Sequence, residues 1–150
     1  MSKTILAIDT GTTMGWAISH RNKIKFGEEQ FSIKRWGQRF DEFEQWLRAA
    51  NSEHRLDWVT WEKVARHRGT FAAHVYGGWV AILSAFCERE QISYSGVPVG
   101  TIKKHWTGNG TAKKSDMMFE ALGRGFKIKT DNEADALALL DYTLKREADK

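Results

Sequence analysis

Four carboxylates stand where they can do chemistry together. Asp9 closes an apolar run, Ile5-Leu6-Ala7-Ile8, and Glu62 closes another, Trp58-Val59-Thr60-Trp61. Both runs read as strands, so each acid sits at a strand end, where ligands collect in mixed α/β sheets. If the two strands are neighbours, the charges repel by roughly 4 kcal/mol at a separation of about 4 Å in a partly screened site. A bound divalent cation removes that cost. Asp131 and Asp135 lie in a third segment, where Thr130 and Glu133 form the capping-box pattern of a helix start. At about 100° per residue, Asp135 falls about 40° from Asp131 and about 60° from Asn132, whereas Glu133 points away. Asp131 and Asp135 can therefore face one point, and Asn132 could share that face as a neutral ligand. An all-oxygen set of this kind suits Mg²⁺ or Mn²⁺ rather than zinc. Two such ions can activate a water on one side of a phosphodiester and stabilise the leaving oxyanion on the other.

The cations are placed to match. Lys63, Arg66, His67 and Arg68 follow Glu62 directly, while Lys103-Lys104 and Lys113-Lys114 flank the break at Gly108-Asn109-Gly110. Backbone N–H groups at a helix start, set beside lysines, make an anion site suited to a phosphate backbone. The chain carries 23 Lys and Arg against 19 Asp and Glu, a net charge of +4, so the clustering rather than the total points to nucleic acid.

Positioning these residues requires a sheet with helices on it. Residues 4–9 form a continuous apolar run suited to a strand buried on both faces, and residues 15–19 and 23–31 extend it into an antiparallel meander. Phe40, Phe43, Leu47 and Ala50 recur at helical spacing, which predicts a helix over 36–50. A strand over 56–62, a long helix over 70–90 and a last strand over 92–99 follow. Helices over 115–123 and 131–145 complete the order βββαβαβαα. The expected fold is α/β, a five-stranded mixed sheet flanked by helices. At 150 residues, 41% of them hydrophobic, one domain over 1–150 is expected. The single cysteine, Cys87, excludes an internal disulfide framework and a Cys-rich zinc site. The longest apolar runs, such as 77–85, fall short of the ~18 residues of a membrane span, and the amino terminus reads as the first strand rather than a signal peptide. No membrane partner and no nucleotide cofactor are expected, and the cytosol is the expected location. His74, in the long helix, reads as a packing or interface residue.

Residues 5–18, 59–64 and 99–114, together with Asp131-Asn132-Glu133-Ala134-Asp135-Ala136-Leu137-Ala138, resemble the RuvC family of Holliday-junction resolvases in its compact phage-type form. That family lies within the ribonuclease H-like superfamily. The resemblance implies a Mg²⁺-dependent endonuclease in which Asp9 bridges two ions, Glu62 binds one of them and Asp135 closes the site. It implies that Lys103 and Lys114 contact DNA near the scissile phosphate, with Lys114 stabilising the transition state. It also implies a homodimer, joined through the long second helix, that nicks two strands of a four-way junction. For a phage-encoded enzyme that places the protein in the cytosol of the bacterial host. Two positions depart from the pattern. The residue three before the last aspartate is Asn132, and the wheel favours Asp131 for its role. Ala65 stands near the place of an aromatic residue that wedges into the junction, which leaves Phe71 as the candidate. The YqgF-type RNA-processing nucleases, which share the fold and the Asp-x-Gly start, and a non-catalytic DNA-binding module of the same fold are the alternative readings.

Overall fold

Ile5-Leu6-Ala7-Ile8 is apolar on both sides because it forms the middle of a sheet covered on both faces. The computed structural model describes residues 2–148. Its strands are Ile5–Asp9 (β1), Thr13–His20 (β2), Lys23–Gln30 (β3), Trp58–Lys63 (β4) and Ser93–Pro98 (β5), arranged β3-β2-β1-β4-β5. The first three form the expected antiparallel meander, and β4 and β5 run parallel to β1. The β2–β3 turn is Arg21-Asn22, with φ of 52° and 63°; both residues are left-handed, which matches the strand twist of a two-residue hairpin.

Two helices cover one face, Trp36–His54 (α1) and Thr70–Glu90 (α2). Leu6 and Ile8 pack there against Phe43, Leu47, Trp79 and Leu83. Three helices cover the other face: Val99–Thr107 (α3), Lys114–Gly123 (α4) and Asp131–Ala148 (α5). Ile5 and Ala7 pack there against Trp106, Met117, Ala134 and Leu137. The alternation along β1 thus divides the core in two.

Between the last strand and Gly108 no helix is expected from the sequence, and α3 corrects this. The last strand ends at Pro98, one residue earlier than expected, and the chain turns directly into α3. Ile102 and Trp106, four residues apart, are its buried face. The Trp106 indole N–H donates to the Met117 carbonyl at 3.0 Å, tying α3 to α4. Gly108, at φ 88°, ends the helix in the left-handed conformation that glycine adopts most readily.

Helix α2 spans Thr70–Glu90, as expected, and by length and composition it is apolar enough to cross a membrane, which the shorter apolar runs did not indicate. Trp79, Leu83, Phe86 and Cys87 are nonetheless buried in the chain's own core. Burial pushes the Cys87 thiol up to about 12, so it behaves as an inert apolar residue. The adjacent glycines of α2 have different causes. A Cβ on Gly78 would collide with the Phe40 ring of α1, whereas one on Gly77 would meet nothing within 4 Å.

Candidate active site

The site begins with strand register. Ile8 of β1 pairs with Trp61 of β4, so Asp9 and Glu62 are the next residues of two adjacent parallel strands, at their carboxyl ends. Side chains alternate across a strand. Ile5 and Ala7 face α3, α4 and α5, and Asp9 follows them; Val59 and Trp61 face α1 and α2, which turns Glu62 to the Asp9 side. Helix α5 brings Asp135 to the same rim. Carboxylate oxygens of Asp9, Glu62 and Asp135 all lie within 4.8 Å of one another.

Close approach of α5 to the sheet makes this possible. Its buried Ala134, Ala136 and Ala138 allow the helix to lie low. Its first turn crosses β2 at Gly15, where an added Cβ would run into the Asn132 carbonyl. The start of α5 is fixed by the expected capping box. Glu133 N–H donates to Thr130 Oγ1 at 3.2 Å, and Glu133 Oε1 accepts from the backbone N–H groups of Lys129 and Thr130 at 2.7 and 3.0 Å. Gly15→Ala is expected to force α5 off the sheet and to lower stability by about 3 kcal/mol. A thermal melt checks this, and activity should fall with it because Asp135 moves away from Asp9.

The electrostatics are those of an acid cluster short of positive charge. Burial raises the Asp9 carboxyl well above the usual carboxylate range, and Glu62, Asp135 and Asp131 raise it further. Burial likewise pushes Asp135 up to about 7, with Glu62 and Asp131 adding to the shift while Lys103 and Lys114 oppose it. Glu62 is raised by burial, an effect opposed by Lys103 and by a hydrogen bond with Asp9. The hydrogen bond between the two strand-end carboxyls raises Asp9 and lowers Glu62.

The other sequence-flagged residues divide into groups. Asp131 stands beside the triad, and its Oδ2 pairs with Lys114 Nζ at 3.3 Å. Asn132 is turned away, its amide donating to Glu28 Oε2 on β3 at 3.0 Å. Lys103 faces the acids from α3 and, with Lys114, Glu62, Ile102 and Asp135, lines a hollow of about 200 Å³. Lys104 is exposed on α3, and Lys113, exposed at the start of α4, has its backbone N–H bonded to Asp116 Oδ2 at 2.9 Å. Lys63, Arg66 and Arg68 are exposed after β4, while His67 is half-buried with its ring 4.8 Å from that of Tyr76. His74 is exposed on α2 and belongs to neither core cluster among the described residues.

Three solved structures share this architecture. RuvC of Thermus thermophilus superposes with a TM-score of 0.77 at 18% identity, over 97% of this chain and 96% of that one. The T. thermophilus RuvC in complex with a Holliday junction substrate gives 0.79 at 17% identity, over 99% and 97%. The yeast mitochondrial Holliday junction resolvase Ydc2 gives 0.70 at 11% identity, over 96% and 78%. The fold is that of RuvC. No family model and no curated protein sequence matches the chain, so the likeness to RuvC rests on the path of the backbone.

Within this RuvC fold one supporting residue escaped the sequence reading. The Tyr76 hydroxyl on α2 donates to the Glu62 carbonyl at 3.1 Å and accepts from the Val64 N–H at 3.1 Å. It pins the exit of β4 and with it the backbone that aims Glu62. In the sequence, Tyr76 looks like one more apolar residue of a long helix.

Proposed function

We infer that the chain is an endonuclease of the RuvC kind that cuts branched DNA, with the four-way Holliday junction as its substrate. The observation that carries this reading is the convergence of Asp9, Glu62 and Asp135 at one rim of a RuvC fold. Three carboxylates without cysteine or histidine, at least two of them pushed toward neutrality by burial and then by neighbouring negative charge, form a donor set suited to hard divalent cations. Asp9, Glu62, Asp131 and Asp135 would hold two Mg²⁺ ions, or Mn²⁺ in their place, and these would supply an activated water and neutralise the leaving oxyanion, giving a 5′-phosphate product.

The protein's own groups do the rest. Asp9, which feels Glu62, Asp135 and Asp131 together, would be the central ligand, and Asp131 would be the fourth oxygen in this reading, since Asn132 is engaged by Glu28. Lys114 is 84% exposed, which leaves its ammonium free to exchange Asp131 for a phosphate oxygen and to meet the charge that develops there. Lys103 opposes the upward shift of Glu62 and Asp135. Lys63, Arg66, Arg68, Lys104 and Lys113 follow the DNA backbone, with His67 beside them, so affinity should fall steeply with salt. A cytosolic location belongs to the same reading.

The deciding experiment is cleavage of a synthetic mobile four-way junction labelled strand by strand, with structured RNA as a parallel substrate. Paired nicks in two strands of like polarity are expected. Cutting of RNA with the junction left intact would overturn the assignment in favour of the RNA-processing reading.

Paired nicking needs two active sites, and α2 offers the surface to join them. Gly77, Ala81 and Ala85 are exposed at intervals of four residues, and Ala73 continues the row. Small residues at this spacing let a second backbone approach closely. We read this row as the contact of a homodimer. Ala81→Arg is expected to give a monomer by analytical ultracentrifugation, to retain its folded circular dichroism, and to lose the coupling between the two nicks.

A further inference from the structure

We propose that the open face of the β2–β3 hairpin is a docking site for the carboxyl-terminal end of a partner polypeptide, one that ends in an apolar residue preceded by acids. The proposal stands apart from the nuclease reading, because the site lies at the other end of the sheet. Asp9 ends β1 opposite Gly15, whereas Ile5 starts it opposite Ser19. At about 3.3 Å per residue that far end is roughly 13 Å from Asp9, and the hairpin turn lies beyond it.

Strand register builds the site. On one face of the hairpin Trp16 pairs with Gly27, Ile18 with Lys25 and His20 with Lys23. Helix α1 packs on the central strands of that face, where Leu6 and Ile18 belong to its core. Beside α1 a pocket of about 150 Å³ is left unfilled, lined by Trp16, Trp46, Ala49 and Ala50 together with Leu6 and Ile18. Trp16 lies across β3 because residue 27 is glycine; a Cβ there would come within 2.9 Å of the indole. The two indoles stand 5.9 Å apart, and neither indole N–H has a hydrogen-bond partner among the described residues. Ile18 and His54 also line a second hollow, of about 280 Å³, with His20, Arg21, Lys23 and Lys25. The two hollows therefore form one trough, apolar at the tryptophans and cationic at the hairpin turn.

Two observations identify the occupant. First, Arg21, Lys23 and Lys25 are exposed, and none of them pairs with a carboxylate among the described residues. Glu53, the one acid lining the trough, stands 3.6 Å from His54 Nε2. Lysines on an edge strand also discourage pairing with another sheet, which accounts for Lys23 and Lys25 but not for the unfilled pocket beside them. Second, the pocket is smaller than the roughly 300 Å³ at which small-molecule clefts begin. It admits a single apolar side chain. A chain end carries an apolar side chain and a carboxylate on one residue, and so fits both parts of the trough. Three permanent cations exceed what one carboxylate needs, so acids precede it. A DNA backbone would match the cations and put nothing apolar into the pocket.

The test is fluorescence anisotropy of a short peptide labelled at its amino end, with a run of aspartates ahead of a final phenylalanine and a free carboxyl terminus. The wild-type chain is expected to bind it. Amidating the terminus, or replacing the phenylalanine by alanine, should each weaken binding about tenfold, as removal of an anchor does. Arg21→Glu and Lys25→Glu reverse exposed charges, and Ala49→Phe fills the pocket from an exposed position on α1, so a melt should show all three folded. Each is expected to weaken the peptide about tenfold or more while four-way junctions are cut at the wild-type rate. Equal binding of the amidated and alanine-ended peptides would overturn the proposal and leave only a general attraction between acids and lysines. Junction binding that falls on Lys25→Glu, from a chain that does not bind the peptide, would overturn it in favour of DNA. A chain that binds the peptide as expected but cuts no junction would overturn the nuclease reading and support the docking site.

Discussion

Asp9→Asn is expected to reduce junction cleavage by about a thousandfold or more while leaving junction binding unchanged or tighter. Asp9 is the carboxylate nearest to common ground. It sits at the end of the central strand, hydrogen-bonds to Glu62, and feels the charges of Asp135 and Asp131 as well. An amide in its place removes one negative charge and one strong oxygen donor from a site that needs both to hold cations. Losing several kcal/mol of transition-state stabilisation at about 1.4 kcal/mol per decade gives a deficit of that size. Binding should persist because the backbone contacts assigned to Lys63, Arg66, Arg68, Lys104 and Lys113 are untouched, and one repulsive charge facing the phosphates is gone. Single-turnover cleavage with strand-specific labels, paired with gel-shift titration in Ca²⁺, measures the two effects separately. Cutting by the variant at the wild-type rate would refute the role given to the acids. Loss of binding in parallel with cleavage would show that Asp9 supports the fold instead.

How much of this was legible in the sequence differs from residue to residue. Asp9 and Glu62 could be found because an acid that ends an apolar strand has little structural excuse to be there. Their adjacency could not, since it depends on β4 pairing beside β1 after the chain has passed through β2, β3 and α1, as the register shows. The helical wheel gave the shared direction of Asp131 and Asp135, but not the Lys114 partner that holds Asp131 at the edge of the cluster. Helix α3 was hidden because Val99, Thr101 and Ile102 look like strand residues. Only Ile102 and Trp106, out of nine residues, record its buried side. Arg39 was invisible for a different reason. On α1 it reads as one more charged residue of a polar face, and it is buried only because the aromatic residues at the starts of α1 and α2 close around it. Tyr76 belongs to the same class, since its role depends on α2 lying under the exit of β4. Local pattern reports which face a residue occupies. It does not report which other element arrives there.

The second large effect is on stability, and its sign follows from the same charges. In the metal-free chain the carboxyls of Asp9, Glu62 and Asp135 all bind protons more tightly than they would unfolded. A group whose folded value is raised contributes stability that is fully present below its unfolded value and is lost as pH rises through the folded one. For Asp135 that window runs from 3.8 to about 7. Roughly three pH units at about 1.4 kcal/mol each amount to a loss on the order of 4 kcal/mol between the two ends. Metal-free Asp135→Asn is therefore expected to melt about 10 °C above the wild type at pH 8, with the gap closing by pH 4. Comparison with the variant cancels the acids elsewhere in the chain, among them Asp141, whose ion pairs act in the opposite direction. Adding Mg²⁺ at pH 8 should restore the wild type by mass action, about 2.7 kcal/mol at a concentration a hundred times the dissociation constant, and should do little for Asp135→Asn. Melting curves across pH, with and without Mg²⁺, read all of this in one series. A wild-type melting temperature indifferent to Mg²⁺ at pH 8, with no gap to the variant, would mean that the three carboxyls neither repel one another nor bind a cation, and the active-site assignment would fall with them.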